Sequence, residues 1–130
     1  MMLPGEPLTM TEQTRVQRVL VVEDDLQLLR LLVRYLERAG METEGTETAA
    51  SATERFRPGA YTHVLADLTL PDGSGLELAG AFLRADPNLR VVLCSGYPLA
   101  LEMLPEGDRE RATLLQKPFS PQELLARLRP

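Results

Sequence analysis

Val19-Leu20-Val21-Val22-Glu23-Asp24-Asp25 is a short apolar, mostly β-branched run that stops on three acids. Three later segments have the same form. Val64-Leu65-Ala66 stops at Asp67, Val91-Val92-Leu93-Cys94 at Ser95, and Leu114-Leu115-Gln116 at Lys117. Continuous apolar runs of this length, bounded by polar residues, suit strands buried on both faces, as in a parallel sheet.

Helical patterns lie between these runs. Residues 26–38 carry Leu28, Leu29, Leu32, Val33 and Leu36 on one stripe and Arg30, Arg34 and Arg38 on another, with Asp25 able to cap the start and Gly40 the end. Residues 48–56 are alanine-rich and end at Pro58-Gly59. Residues 76–84 place Leu76, Ala79, Phe82 and Leu83 at helical spacing. Ser120-Pro121-Gln122-Glu123 is a capping box with proline at the first helical position, opening a last helix that buries Leu124, Leu125 and Leu128. A weaker strand over about 41–47 carries Glu42 and Glu44, which suit a sheet edge. Pro98 to Gly107, with two prolines and a glycine, allows a helix of at most two turns. The order is β-α repeated five times, which right-handed crossovers turn into a parallel sheet with helices on both faces.

In such a sheet Glu23, Asp24, Asp67, Ser95 and Lys117 all follow the ends of strands, on the one edge where open α/β folds bind ligands. If the first and third strands are neighbours, Glu23, Asp24 and Asp67 meet. Two carboxylates roughly 5 Å apart repel by about 3 kcal/mol at an effective dielectric of 20, so three pairs cost on the order of 10 kcal/mol if all are ionised. Either one acid is protonated or a cation resides there. A few hard oxygen ligands, partly open to water, suit Mg²⁺. Of the fourteen basic residues only Lys117 is a lysine, and lysine supplies a compact point charge where arginine supplies a planar fork. Cation, hydroxyl and ammonium together make a site for a phosphoryl group, and a carboxylate there can be its nucleophile.

The composition bounds the rest. One hundred and thirty residues, 44% hydrophobic and 25% charged, describe one soluble-type globular domain. A net charge of −5 argues against a broad nucleic-acid footprint. A single cysteine, Cys94, excludes an internal disulfide and fits a reducing, cytoplasmic setting. No apolar run approaches a bilayer span, and no signal peptide is legible. Residues 1–14 read as a disordered leader and 15–130 as the domain.

Four pieces in order carry a family likeness: Val-Val-Glu-Asp-Asp at 21–25, Asp-Leu-Thr-Leu-Pro-Asp-Gly-Ser-Gly at 67–75, Cys-Ser-Gly-Tyr at 94–97 and Gln-Lys-Pro-Phe at 116–119. With them the chain resembles the receiver domain of two-component response regulators from about Arg18 to Arg129. That resemblance implies a flavodoxin-like, doubly wound five-stranded parallel sheet of order 2-1-3-4-5. It implies that Asp67 is the phosphoacceptor and that Asp24, Asp67 and the backbone carbonyl of Thr69 ligate Mg²⁺, with Glu23 acting mainly through a metal-bound water. It makes Ser95 and Lys117 the residues that move onto the phosphoryl group, and Lys117 the ammonium that first pairs with Asp67. It implies a cis peptide before Pro118, and it places Pro71 and Gly75 in the loop after the acceptor. The implied partner is a histidine kinase or phosphotransfer protein, with an unnamed downstream target, no direct nucleic-acid or membrane binding, and a monomer or weak homodimer. Two positions depart from the family. Leu114 stands where many receivers have a switching aromatic, and the fourth helix is short.

Other readings remain beside this one. A pseudo-receiver would bind without turning over phosphate. A small Mg²⁺-dependent phosphohydrolase of the haloacid-dehalogenase type would need a second aspartate two residues after the nucleophile, where this chain has Thr69. An EF-hand from Asp67 fails at Pro71 and Asp72, and a dinucleotide fingerprint fails at Leu78. Asp25 reads as a helix cap, His63 and Cys94 as core, Tyr97 as a partner contact or loop aromatic, and Arg109 and Arg111 as a solvated loop.

Overall fold

The computed structural model describes residues 16–98 and 101–129; the 1–14 segment read as a leader lies outside them. Five parallel strands form the sheet: β1 (Arg18–Val22), β2 (Glu42–Thr46), β3 (His63–Asp67), and, after a small hairpin of β4 (Thr69–Leu70) and β5 (Gly73–Ser74), β6 (Arg90–Ser95) and β7 (Ala112–Gln116). Their spatial order is β2-β1-β3-β6-β7, which is 2-1-3-4-5 when the hairpin is left out. The helices are α1 (Leu26–Arg38), α2 (Ala49–Arg55), α3 (Gly75–Ala85), the single turn α4 (Glu106–Arg109) and α5 (Pro121–Leu128).

Alternation along the strands divides the core in two. Leu20, Val22, Val64, Ala66, Val91 and Leu93 pack under α2 and α3, where Phe56 and Phe82 stack 4.0 Å apart. Val19, Val21, Leu65, Val92 and Cys94 pack against Leu29, Leu32 and Leu36 of α1 and Leu124 and Leu128 of α5. Each such valine, leucine or phenylalanine contributes about 1.5–3 kcal/mol when fully buried, which is why both faces of the central strands read as unbroken apolar runs. β2, with Glu42 and Glu44, is one edge, and β7 is the other.

The caps follow the local sequence. Asp25 accepts from the N–H groups of Gln27 and Leu28 at the head of α1, and Ser120 and Glu123 close the capping box of α5. Among its described residues, the segment between Pro98 and β7 holds a 3₁₀ turn over Leu101–Met103 and the four residues of α4, because its prolines leave little room for a helix.

Two features differ from the sequence expectation. Residues 69–74 form a two-stranded antiparallel hairpin, since Pro71-Asp72 is a tight two-residue turn that pairs Leu70 with Gly73. Arg109 and Arg111 are not a solvated loop. Arg111 donates to the carbonyls of Leu83 and Asp86 at the C-terminal end of α3 and to that of Leu89 just before β6, and Arg109 donates to those of Leu104 and Glu102. No described helix is long and apolar enough to cross a membrane.

Candidate functional site

Register brings the acids together. Val22 pairs with Ala66 and Asp67 with Cys94, so Glu23 and Asp67 emerge side by side at the C-terminal edge of the sheet. The backbone continues the alignment past the strands: Glu23 N–H donates to Thr46 O, Leu68 N–H to Cys94 O and Lys117 N–H to Ser95 O. Glu23, Asp24 and Asp67 each offer a carboxylate oxygen, and these oxygens lie within 4.8 Å of one another.

The three acids differ in their surroundings. Glu23 is buried, and both of its oxygens are used: Oε1 accepts from Lys117 Nζ at 2.8 Å and Oε2 from Asp25 N–H at 3.1 Å. Burial pushes its carboxyl above the usual range, and the Lys117 hydrogen bond only partly offsets this. Asp24 is exposed and Asp67 half-buried. Lys117 reaches across β6 to both Glu23 and Asp67, the latter at Oδ2 and 3.3 Å. Partial burial works against its ammonium, but the hydrogen bond and charge of Glu23, reinforced by Asp67, raise its pKa and keep it charged. The sequence expectation named Asp67 as the partner of Lys117; the shorter bond goes to Glu23.

One ammonium cannot balance three carboxylates in a pocket that is dry on one side and wet on the other. The donor set is all oxygen, small, and open to water through Asp24, which fits a hard divalent cation such as Mg²⁺.

The loop after Asp67 is held closely. Gly75 N–H donates to Leu68 O at 2.7 Å. A Cβ on Gly75 would overlap the carbonyl oxygen of Asp67 and stand 2.9 Å from Leu68 Cα, so only glycine lets α3 start this near the acid. Thr69 lies in β4 and Pro71 at the hairpin turn. The Lys117–Pro118 peptide is cis.

Ser95 ends β6, buried, and its hydroxyl accepts from Tyr97 N–H at 2.9 Å. It therefore lies on the edge predicted for it, engaged with its own turn rather than with the acids. Tyr97 is 74% exposed. Beside it Ser95, Leu114, Gln116, Glu123 and Arg127 help to line a hollow of about 360 Å³. Cys94, under the pocket, is a buried thiol pushed up to about 12 by burial. His63, at the far end of β3, is buried away from the pocket.

Sequence reasoning missed Asp72. Its carboxylate accepts from Ala49 N–H and Ala50 N–H at the start of α2. The Pro-Asp-Gly triplet signals a turn, but nothing local tells where the aspartate will point.

Known proteins are similar to this chain over nearly the whole of its fold. The family model described as the response regulator receiver domain matches residues 19–129. The response regulator receiver protein CpdR of Brucella abortus is 34% identical over 85% of this chain and 92% of its own length. The swarming motility regulation protein RssB of Serratia marcescens is also 34% identical, but the chain spans only 51% of it. Among solved structures, the non-phosphorylated HemR receiver domain from Leptospira biflexa superposes with a TM-score of 0.76 at 34% identity, covering 86% of this chain and 90% of that one. A match that runs from β1 through α5, with a receiver superposing on the same fold, decides the matter: the chain belongs to the response regulator receiver family of two-component signalling.

Proposed function

We propose that Asp67 accepts a phosphoryl group from a histidine kinase or phosphotransfer protein, and that the resulting change at Ser95 and Lys117 alters a partner-binding surface. Receivers are not conventional enzymes, and membership of the family implies a histidine kinase as partner. The observation that carries the proposal is Lys117 Nζ held between Glu23 and Asp67, over a cluster of three acids.

Receivers typically bind Mg²⁺ at an acidic pocket of this kind. Here Asp24, Asp67 and the Thr69 carbonyl would hold the ion, while Glu23, whose oxygens are already engaged, would act through its water. When bound, the cation neutralises phosphoryl oxygen charge that carboxylates alone would repel.

The protein's own part is positioning and charge. An Asp67 oxygen forms a bond to phosphorus as the phosphorus–nitrogen bond of the donor phosphohistidine breaks; the ring nitrogen takes that electron pair, and the imidazole leaves neutral, its other nitrogen keeping the proton it already carried. Lys117 exchanges its contact with Asp67 for one with a phosphoryl oxygen, keeping its charge throughout. Ser95 must give up the N–H of Tyr97 to turn its hydroxyl toward the new acceptor oxygens. That exchange moves the turn at Gly96 and Tyr97, next to the hollow beside Leu114, and so reaches the surface. The DrrB receiver, 26% identical with a TM-score of 0.71, has been solved in a BeF₃-activated form, which supports beryllium fluoride as a probe here.

The test is intact mass after incubation with Mg²⁺ and a small phosphodonor. The expected result is one phosphoryl adduct, absent in Asp67→Ala. A protein that forms no adduct and binds no beryllium fluoride is a binding module instead, and steady turnover of phosphoesters would mark a hydrolase.

A further inference from the structure

Asp72 lies five residues beyond Asp67, at the tip of the β4–β5 hairpin. Its two carboxylate oxygens divide between two backbone donors of another element, Oδ1 accepting from Ala49 N–H at 2.7 Å and Oδ2 from Ala50 N–H at 2.9 Å. Helix-capping side chains usually come from the residue just before the helix. α2 already has such a cap in Thr48, whose hydroxyl accepts from Ser51 N–H at 3.0 Å. Asp72 adds a second set of bonds from 22 and 23 residues away, so it is a cross-link between the hairpin and α2.

Among the described residues the hairpin is otherwise anchored near its base and along one side. Gly75 N–H ties to Leu68 O, and Leu70 is buried in the core. At the tip the backbone of Gly73 runs close to Ala49, where an added Cβ would lie 3.8 Å from the alanine methyl. The backbone of residues 68–70 runs between the Gly75 anchor and the Asp72 clamp.

We propose that Asp72 is a positioning residue for the acidic pocket: by clamping the hairpin tip to α2 it fixes the backbone of residues 68–70, including the Thr69 carbonyl, for the divalent cation beside Asp67. This rests on the reading of the pocket given above. Asp72 itself touches neither the acids nor Lys117; it acts through the hairpin. The two α2 amides hold its carboxyl below the usual range, Ala50 more than Ala49.

Three variants separate this role from simple support of α2. Asp72→Ala removes both bonds, and Asp72→Asn keeps one acceptor oxygen. Ala49→Pro removes the N–H that Oδ1 receives, at the first helical position, where proline is favoured and the amide has no intrahelical partner. Thr48, at φ −136° and ψ 160°, already has a backbone that a following proline accepts. Mg²⁺ affinity is measured by calorimetric titration, and amide exchange at Thr69 and Leu70 is followed in metal-free protein.

Asp72→Ala should weaken Mg²⁺ by about tenfold, the low end of what outer-shell partners cost a metal site, and speed exchange at both amides. Asp72→Asn should fall between it and the wild type. Ala49→Pro should weaken Mg²⁺ in the same direction, and the Asp72→Ala/Ala49→Pro pair should be no weaker than Asp72→Ala alone. Unchanged affinity in the Asp72 variants, whatever their melting temperatures, overturns the proposal. So does an Ala49→Pro protein that binds as the wild type does, or a double variant whose losses simply add. A wild-type protein that takes up no Mg²⁺ refutes the pocket reading itself and the clamp with it, and that titration is run first.

Discussion

Lys117 donates to Glu23 at 2.8 Å, a shorter bond than the 3.3 Å one it makes to Asp67. The lone lysine is thus the counter-charge of a buried acid first, and of the proposed phosphoacceptor second. Lys117→Ala would leave Glu23 buried without its ammonium and should cost about 2 kcal/mol, reduced from the cost of breaking a fully buried pair because Lys117 is partly exposed. Lys117→Arg keeps the charge but spreads it over a planar fork. That variant should still form the Asp67 adduct in the mass assay, yet produce a smaller shift in the Ser95 and Tyr97 amide resonances with beryllium fluoride. A full shift would show that the compact ammonium is not needed.

Gly75→Ala places a methyl on the carbonyl oxygen of Asp67, and the obstacle is backbone, which cannot rotate away. The start of α3 or the end of β3 must move. We expect a loss of about 3 kcal/mol in urea unfolding, at the upper end of overpacking costs, together with loss of beryllium fluoride binding. A variant as stable as wild type would show that the close approach is not required.

His63 is buried with Nδ1 on the hydroxyl of Thr62, and Nε2 has no protein partner among the described residues. Burial, with a smaller push from Arg90, lowers its pKa from 6.5 to about 4. The unfolded chain takes up the proton first on acidification. Stability therefore falls as pH drops below about 6.5, by up to roughly 3 kcal/mol once pH 4 is reached. His63→Leu should flatten that part of the stability profile, measured by denaturant unfolding at a series of pH values. An unchanged slope would place the acid sensitivity elsewhere.

Arg111 is the sole side chain seen donating to the carbonyls of Leu83, Asp86 and Leu89, between the last turn of α3 and the start of β6, among the described hydrogen bonds. Arg111→Ala should cost about 2–3 kcal/mol in thermal or urea unfolding, because the carbonyls are left under-satisfied. Arg111→Lys should recover only part, having no fork to reach several oxygens at once. A loss below 1 kcal/mol would mean that water replaces the guanidinium freely.

Strand identity, strand direction and the edge on which the polar residues gather were legible in the sequence because each depends on a local pattern. An apolar run ending in an acid, hydroxyl or lysine needs no partner to be recognised, and parallel topology then puts every such end on one side. The caps at Asp25 and Ser120 were equally local. Arg111 and Asp72 were not. In sequence one reads as a loop cation and the other as a turn acid, and their partners lie 22 to 28 residues away.

The alternating α/β order and the set of residues at the reactive edge are readable from the chain alone, since hydrophobic period and turn chemistry are written residue by residue. How that set is wired emerges only in the packed fold. Glu23 takes the closer bond from Lys117, Ser95 is held by Tyr97, and Asp72 fastens the hairpin to α2. Which donor meets which acceptor depends on register, burial and a few tenths of an ångström between strands, and those are fixed only when the whole sheet and its helices pack together.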